Sequence, residues 1–208
     1  GGIIVGTDTF GKGTVQRVDM LSSGQIKFTE SKFYRVSGSS TQNLGVQPDI
    51  ILPSLFNLDE LGESKLDRAL MHDAIPRTSH KNFNQVSGFI SSLQEVSQAR
   101  VKESPLFSSI SQRKQWQEEN QIDNLDLNLD LRKSQKNKIE EFLLANENSL
   151  RRTLNLPIFS NYKEFMERED DPEILDIDHE VLSEAANILL DLVELKNKPL
   201  LAMNKTIN

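Results

Sequence analysis

The segment with the strongest chemical signal is I-I-V-G-T-D-T-F-G-K-G-T, residues 3–14, in which Lys12 stands between two glycines. Its spacing is close to the phosphate-binding loop G-x-x-x-x-G-K-[ST], which follows a strand and opens a helix. However, Gly13 occupies the position where a hydroxyl must hold magnesium, and Thr14 comes one residue late. The following T-V-Q-R-V-D-M-L contains two β-branched valines and has little helical character. Nucleotide binding is therefore disfavoured, and on its own a lysine between glycines is most simply a solvated turn residue.

The composition is that of an ordinary globular protein and excludes several classes of function. The chain has 208 residues, of which 37% are hydrophobic and 26% charged, enough for one large or two small domains. A formal net charge of -7 argues against general binding to nucleic acid or to anionic membranes. Cysteine is absent, and His72, His80 and His179 are too scattered to suggest a metal site, so no cofactor is expected. No apolar stretch approaches the roughly 18 residues that span a bilayer.

Glycine content and periodicity set the first quarter of the chain apart. Eight of the ten glycines lie in residues 1–53, and the remainder holds 27 of the 31 acidic residues. Strands are expected at residues 3–5, 14–18 and 25–36. In the last of these, Ile26 and Phe28 alternate with polar residues, which predicts a strand with one buried face. The turn residues S-S-G after the second run and S-G-S-S after the third predict loops there.

Helical spacing replaces the period of two beyond residue 82. Residues 54–82 lack strong periodicity and are expected to be a linker. Ser104-Pro105 predicts the cap and first turn of a second helix, and two further helices are expected at 134–154 and near 180–195. The first helix is predicted from an apolar stripe at three- and four-residue steps, which consists of Phe83, Val86, Phe89, Ile90, Leu93 and Val96.

One segment between the predicted helices keeps a strand-like period. The run N-L-D-L-N-L-D-L, residues 124–131, alternates leucine strictly with Asn and Asp. Such alternation predicts a half-buried strand, which would need a partner edge. The alternative is a low-complexity pattern without structural meaning.

Two blocks of the first quarter carry a family resemblance. They read V-G-x-x-T-F-G-K-G-T-V-Q and K-F-Y-R-V-S-G-S-S-T-Q-x-x-G-V-x-P-D-I, in order, within residues 2–53. These two blocks resemble the corresponding segments of the C-terminal processing peptidases. The resemblance is stronger to the tail-specific proteases of bacterial periplasms. Thr7 departs from the glutamate of many relatives but leaves the lysine motif untouched. Beyond residue 53 the resemblance is looser, although those proteases also carry a largely helical C-terminal domain.

The resemblance implies catalytic roles for Lys12 and Gln16. In that family the lysine of F-G-K-G-T-V-Q is the general base of a serine–lysine dyad, and the glutamine four residues later orients it. A serine hydroxyl needs a neighbour that accepts its proton, and lysine can do so only when neutral, which burial favours. The flanking glycines would let the backbone come close and the ammonium be enclosed. An uncharged Gln16 would orient the amine without stabilising its protonated form, from the same face of a strand.

The resemblance also implies what the chain lacks. The family's nucleophilic serine, its oxyanion donors and its PDZ domain precede the lysine motif, and Ser22 and Ser23 lie in a hydrophilic turn without small neighbours. The chain is therefore expected to be a C-terminal fragment that is inactive alone. Its parent would be a periplasmic serine-type endopeptidase that acts on proteins with apolar C-terminal tails.

The resulting expectation is an α+β chain in three parts. Residues 1–53 would be the β-rich end of a crotonase/ClpP-like protease domain, 54–82 a linker and 83–208 a helical C-terminal domain. An alternative from another class is that the helical part is a binding module, which recruits an adaptor or mediates self-association without chemistry of its own. The third and least favoured hypothesis is a nucleotide-binding protein, based on the incomplete phosphate-binding motif at Lys12.

Overall fold

The fold, in a computed structural model, divides into two compact units. The first comprises Gly1–Leu52 and Phe56–Ile90, and the second comprises Pro53–Leu55 and Ser91–Asn208. Strands lie in the first unit and long helices in the second, which agrees with the α+β class. The structure describes residues 2–56, 61–81, 83, 85–121, 127–168 and 177–204.

Two small sheets form the first unit. Ser22 and Ser23 make the tight turn of a hairpin, as the S-S-G signal predicts. Ile50 and Leu52, in and just after the last strand, are almost fully buried. The parallel pair is β1 (Val5–Gly6) with β4 (Ile50–Ile51), and the antiparallel hairpin is β2 (Thr14–Leu21) with β3 (Gly24–Lys32).

The predicted burial of one face of β3 is wrong for the described part of the chain. Ile26 is 47% exposed and Phe28 39% exposed. The alternation correctly predicts a strand, but burial also requires a second layer of structure on that face. The β2–β3 hairpin is a two-stranded sheet, and its apolar side chains remain open to solvent.

The segment expected to be a linker is hydrogen-bonded to the first unit along much of its length. The amide of Glu63 donates to the carbonyl of Phe10 at 2.9 Å, and that of Ser40 donates to Asp73 at 3.2 Å. Further on, the amide of Ile75 donates to the carbonyl of Gly38 at 2.8 Å. These bonds hold the segment against the strand-bearing unit, although the division at 1–53, 54–82 and 83–208 itself stays a prediction.

The second unit is built from five helices among its described residues. The cap predicted at Ser104 is present, since its hydroxyl accepts the amide N–H of Phe107 and Pro105 follows it. The rings of Trp116 and Phe142 stack at 4.4 Å between centroids. The helices are α1 (Ile90–Glu103), α2 (Pro105–Glu119), α3 (Leu129–Thr153), α4 (Tyr162–Met166) and α5 (Ile177–Asn204).

The strand predicted from N-L-D-L-N-L-D-L is wrong where the structure describes it. Helix α3 begins at Leu129, and Leu127 is 95% exposed; Leu125 lies outside the described residues. The reason is local, because the side chain of Asn128 accepts the amide N–H groups of Asp130 and Leu131 and so caps a helix. These two capping bonds favour a helix over the strand that the short alternation predicts.

The first predicted helix begins later than its apolar stripe indicates. A short 3₁₀ turn at Ser87–Phe89 precedes α1, and Phe83 is 63% exposed ahead of it. Leu93 alone of the stripe's helical members is fully buried. Over the described residues, none of the helices is both long and apolar enough to cross a membrane.

Candidate active-site lysine loop

The lysine motif forms a loop between β1 and β2 that backbone hydrogen bonds hold on both sides of Lys12. The amide of Asn43 donates to the carbonyl of Gly11 at 2.7 Å, and that of Phe33 donates to the carbonyl of Gly13 at 3.1 Å. The Thr41 hydroxyl donates to the carbonyl of Lys12 at 3.3 Å. The residues after the loop form β2, so the helix that a phosphate-binding loop would require is not there.

Close backbone approach explains why Lys12 has a glycine on each side. Gly11 has a positive φ of 93°, and a Cβ there would lie 2.8 Å from the carbonyl oxygen of Asn43. A Cβ on Gly13 would collide with the backbone of Gln42. The segment S-T-Q-N therefore packs directly on the backbone of the loop, in agreement with the role predicted for the glycines.

The Lys12 side chain has two polar neighbours in the first unit. Its Nζ donates to Thr14 Oγ1 at 3.2 Å and lies 3.7 Å from Glu63 Oε1. The side chain is 42% exposed, whereas that of Glu63 is only 7% exposed. The described residues therefore leave one side of Lys12 open to solvent, and enclosure of the ammonium in the longer protease stays a prediction.

A buried glutamine links Glu63 to the loop backbone. Gln42 is fully buried, and its Oε1 accepts the amide N–H of Gly13 at 2.9 Å. Its Nε2 donates to Glu63 Oε1 at 3.2 Å. These two bonds pair both polar atoms of the buried side chain, and the backbone N–H of Gln42 donates to Ser40 Oγ at 3.1 Å.

Gln16 is near the loop but makes no described hydrogen bond with Lys12. It lies on β2, opposite Thr29, where the register of the hairpin shifts between Val15 and Gln16. Alternation places Gln16 on the same strand face as Thr14, the residue that the Lys12 ammonium contacts. Lys12 itself precedes the strand, so the period of two does not extend to it, and the orienting role of Gln16 stays a prediction.

A second ionic cluster joins residues 71–73, which follow a 3₁₀ turn at Glu63–Lys65, to the end of β3. Lys32 Nζ donates to Asp73 Oδ1 at 3.1 Å and to the carbonyl of Met71 at 2.8 Å. The Tyr34 hydroxyl also donates to the Asp73 carboxylate. The hydrogen bond from Lys32 holds the pKa of Asp73 below its ordinary value. This cluster is structural, and it supports the path that brings Glu63 to Lys12.

Sequence reasoning missed Gln42 and Glu63. Gln42 lies in a block that carries the resemblance, but nothing in its neighbours marks it as buried. Glu63 lies in the segment that lacks periodicity, and only tertiary contacts bring it to the loop. Within the described ranges, no group of three or more His, Asp or Glu side chains is placed to hold a metal ion.

Comparison with known families divides the chain near residue 54, whereas the first compact unit continues to Ile90. Residues 1–52 match the family described as peptidase family S41. Residues 56–194 match the family described as the C-terminal domain of tail specific protease. Lys12 therefore belongs to the peptidase segment, and Glu63 to the segment that follows it.

Individual relatives carry the corresponding names. The "Tail-specific protease" of Haemophilus influenzae is 37% identical over 150 residues, which cover 66% of the chain and 22% of that protein. The "Carboxy-terminal-processing protease" of Bartonella bacilliformis is 40% identical over 70 residues, which cover 30% of the chain and 16% of that protein. The chain thus spans about a fifth or less of the length of the curated relatives it matches.

Proposed function

The chain belongs to the tail-specific protease family, as its C-terminal domain preceded by a segment of peptidase family S41, and from this we propose that it carries the general base of a serine/lysine endopeptidase. The base is Lys12. The observation that carries the proposal is the loop itself, which is bonded through its backbone on both sides of Lys12 while the ammonium has an open side. A rigid loop with one open side suits a base that must meet a nucleophile from another segment.

The proposed chemistry assigns one step to this chain. Neutral Lys12 takes the proton of a serine hydroxyl as the oxygen attacks the scissile carbonyl, and the resulting ammonium can return a proton to the leaving amine. Gln16, on the same face of β2 as Thr14, orients the amine. The serine and the oxyanion donors come from a part of the longer protease outside this chain.

The serines within the hairpin turn do not fit the role of nucleophile. Ser22 and Ser23 lie at the far end of β2 from Lys12. Eight strand residues span about 26 Å, far beyond hydrogen-bond reach. The isolated chain is therefore expected to hydrolyse no peptide, and the peptidase segment is proposed to be the end of a crotonase/ClpP-like domain.

Substrates and location follow from the same family membership. We propose that the parent protease degrades or trims proteins recognised by apolar, disordered C-terminal tails in the periplasm. The names of the two relatives refer to tail specificity and to carboxy-terminal processing, which supports recognition of C-terminal tails.

The experiment that tests the proposal is complementation. A fragment carrying the upstream serine segment is mixed with this chain, and peptide hydrolysis is measured. Activity that appears with the wild-type chain and is lost with Lys12→Ala places Lys12 in a shared active site. Equal activity with both chains would exclude Lys12 as the base.

A second candidate function is binding by the helical unit, either to an adaptor or to another copy. The observation that favours it is an apolar face of α5 that is open to solvent, at Leu182, Leu189 and Val193. These positions recur at helical spacing, and their exposures are 69%, 59% and 49%. Light scattering of the wild type against Leu182→Ser/Leu189→Ser would show whether this face drives association.

A further inference from the structure

The Lys12 loop is held from both ends by one residue of the following segment. The amide N–H of Glu63 donates to the carbonyl of Phe10, two residues before the lysine, at 2.9 Å. Its carboxylate accepts from Gln42 Nε2 at 3.2 Å, and Gln42 in turn accepts the amide of Gly13, directly after the lysine, at 2.9 Å. The same carboxylate oxygen lies 3.7 Å from Lys12 Nζ.

We call these contacts of Glu63 with Phe10, Gln42 and Lys12 the Glu63 bracket. From them we infer that Glu63 is a positioning residue for Lys12. The inference rests on the proposed function, in which Lys12 is the base. It adds that the tail-specific C-terminal segment, residues 56–194, supplies part of the support of the catalytic loop. Glu63 does not contact substrate in this account; it fixes where the loop presents the amine.

Burial explains why the carboxylate is suited to this task. Glu63 is 5% exposed, and a buried carboxylate is costly unless hydrogen bonds and an opposite charge compensate it. Gln42 Nε2 supplies the hydrogen bond, and the Lys12 ammonium supplies the opposite charge before it loses a proton and becomes a base. The carboxylate keeps these partners only when the loop has the conformation described above, so burial of Glu63 favours that conformation.

Placement of the base matters more to turnover than to binding. A shift of about 1 Å in a reacting group can lower the rate by up to about a hundredfold, whereas substrate contacts elsewhere are unaffected. Loss of the Glu63 carboxylate should therefore reduce kcat and leave KM nearly unchanged. A glutamine at position 63 keeps an oxygen that can accept from Gln42 Nε2, so it should restore the loop without the charge.

The first test uses the 208-residue chain and does not depend on activity. Amide hydrogen exchange at Gly13 is measured by NMR in the wild type, in Glu63→Ala and in Glu63→Gln. Asp67→Ala is the matched control, because Asp67 is exposed in the same segment and has no hydrogen bond or ion pair among those described. Faster exchange in Glu63→Ala, with near wild-type exchange in Glu63→Gln and Asp67→Ala, supports the bracket. Unchanged exchange in Glu63→Ala overturns it.

The second test measures kcat and KM in the full-length protease, at a temperature where each variant is folded. Glu63→Ala is expected to lower kcat roughly ten- to hundredfold, with Glu63→Gln recovering most of the loss. Wild-type kcat in Glu63→Ala, or equal losses in the alanine and glutamine variants, would overturn the inference. Lys12→Ala is assayed alongside, since activity retained in that variant would instead contradict the proposed function.

Discussion

The amide N–H of Gly13 donates to the side-chain oxygen of Gln42 at 2.9 Å, in a position where Gln42 is fully buried. This bond joins the lysine motif to the second block of the family resemblance. It also fixes the distance between two backbones, which leaves no room for a side chain at position 13. The glycine after Lys12 thus has a structural cause, in addition to the catalytic role that we propose for the motif.

Gly13→Ala should destabilise the first unit. The added Cβ would meet the backbone of Gln42 and Ser40 Oγ, so the two segments must move apart. We expect a loss of about 1–3 kcal/mol in the free energy of unfolding, measured by chemical denaturation with NMR signals of the first unit. Gly88→Ala is the control, because a Cβ there meets nothing within 4 Å. Equal stability of both variants would contradict the packing described at Gly13.

The helical unit should lose stability in acid through Glu184. Burial is the largest single influence and by itself would raise the pKa of this carboxyl. The hydrogen bonds and the charge of Arg100, together with hydrogen bonds from Ser97 and Asn187, hold the pKa below its ordinary value. A depressed pKa means that the folded state favours the carboxylate, so the stabilisation is present above about pH 4.5 and is lost as pH falls through the lower, folded-state pKa. Calorimetry from pH 7 to pH 3 should show a steeper fall in Tm for the wild type than for Glu184→Gln. If Tm falls equally with pH in the wild type and in Glu184→Gln, the Arg100–Glu184 ion pair does not account for the acid sensitivity.

Removing the partner charge should be worse than removing the carboxylate. Arg100 also pairs with Asp191 at 2.8 Å, so Arg100→Ala leaves two carboxylates without their cation. We expect a loss of about 3 kcal/mol at neutral pH, since a buried charge is then uncompensated. Denaturation of Arg100→Ala beside Lys136→Ala, whose side chain is 74% exposed, provides the comparison. If Arg100→Ala loses no more free energy of unfolding than Lys136→Ala, solvent must stabilise the Glu184 carboxylate as well as Arg100 does.

The open face of the hairpin should cause association of the isolated chain. Ile26 and Phe28 are exposed on a two-stranded sheet whose edges can pair with another copy. Multi-angle light scattering is expected to show dimers or larger species that Ile26→Ser/Phe28→Ser removes. Lys27→Ser, on the opposite face of the same strand, should leave association unchanged. A wild-type monomer at high concentration would be contrary to this expectation.

Local signals predicted much of the fold, and they failed where the cause was not local. The strand predicted at residues 25–36 is present at Gly24–Lys32 and ends four residues early. This strand, the serine turn and the Ser104 cap depend mainly on neighbouring residues, so the sequence predicts them. At Leu127–Leu131 two local signals compete, and the Asn128 cap outweighs the alternation. The exposure of Phe28 depends on what covers the sheet, which periodicity cannot supply.

The candidate site shows the same division. Lys12 and Gln16 are assigned from the family resemblance, and their catalytic roles stay predictions. The glycines around Lys12 have the close backbone contacts expected of them. Glu63 could not be predicted, because its proximity to Lys12 arises from the hydrogen bonds that hold residues 63–78 against the strand unit. A buried carboxylate in an aperiodic segment has no distinguishing pattern.

The central claim, that Lys12 is the general base, is tested most directly by Lys12→Arg in the full-length protease. Arginine keeps the positive charge and much of the length but cannot be deprotonated in a protein. If Lys12 takes a proton from serine, peptide hydrolysis should be abolished in Lys12→Arg as fully as in Lys12→Ala, while both variants remain folded. Near-normal turnover in Lys12→Arg would show that position 12 needs only a cation, and would contradict the account.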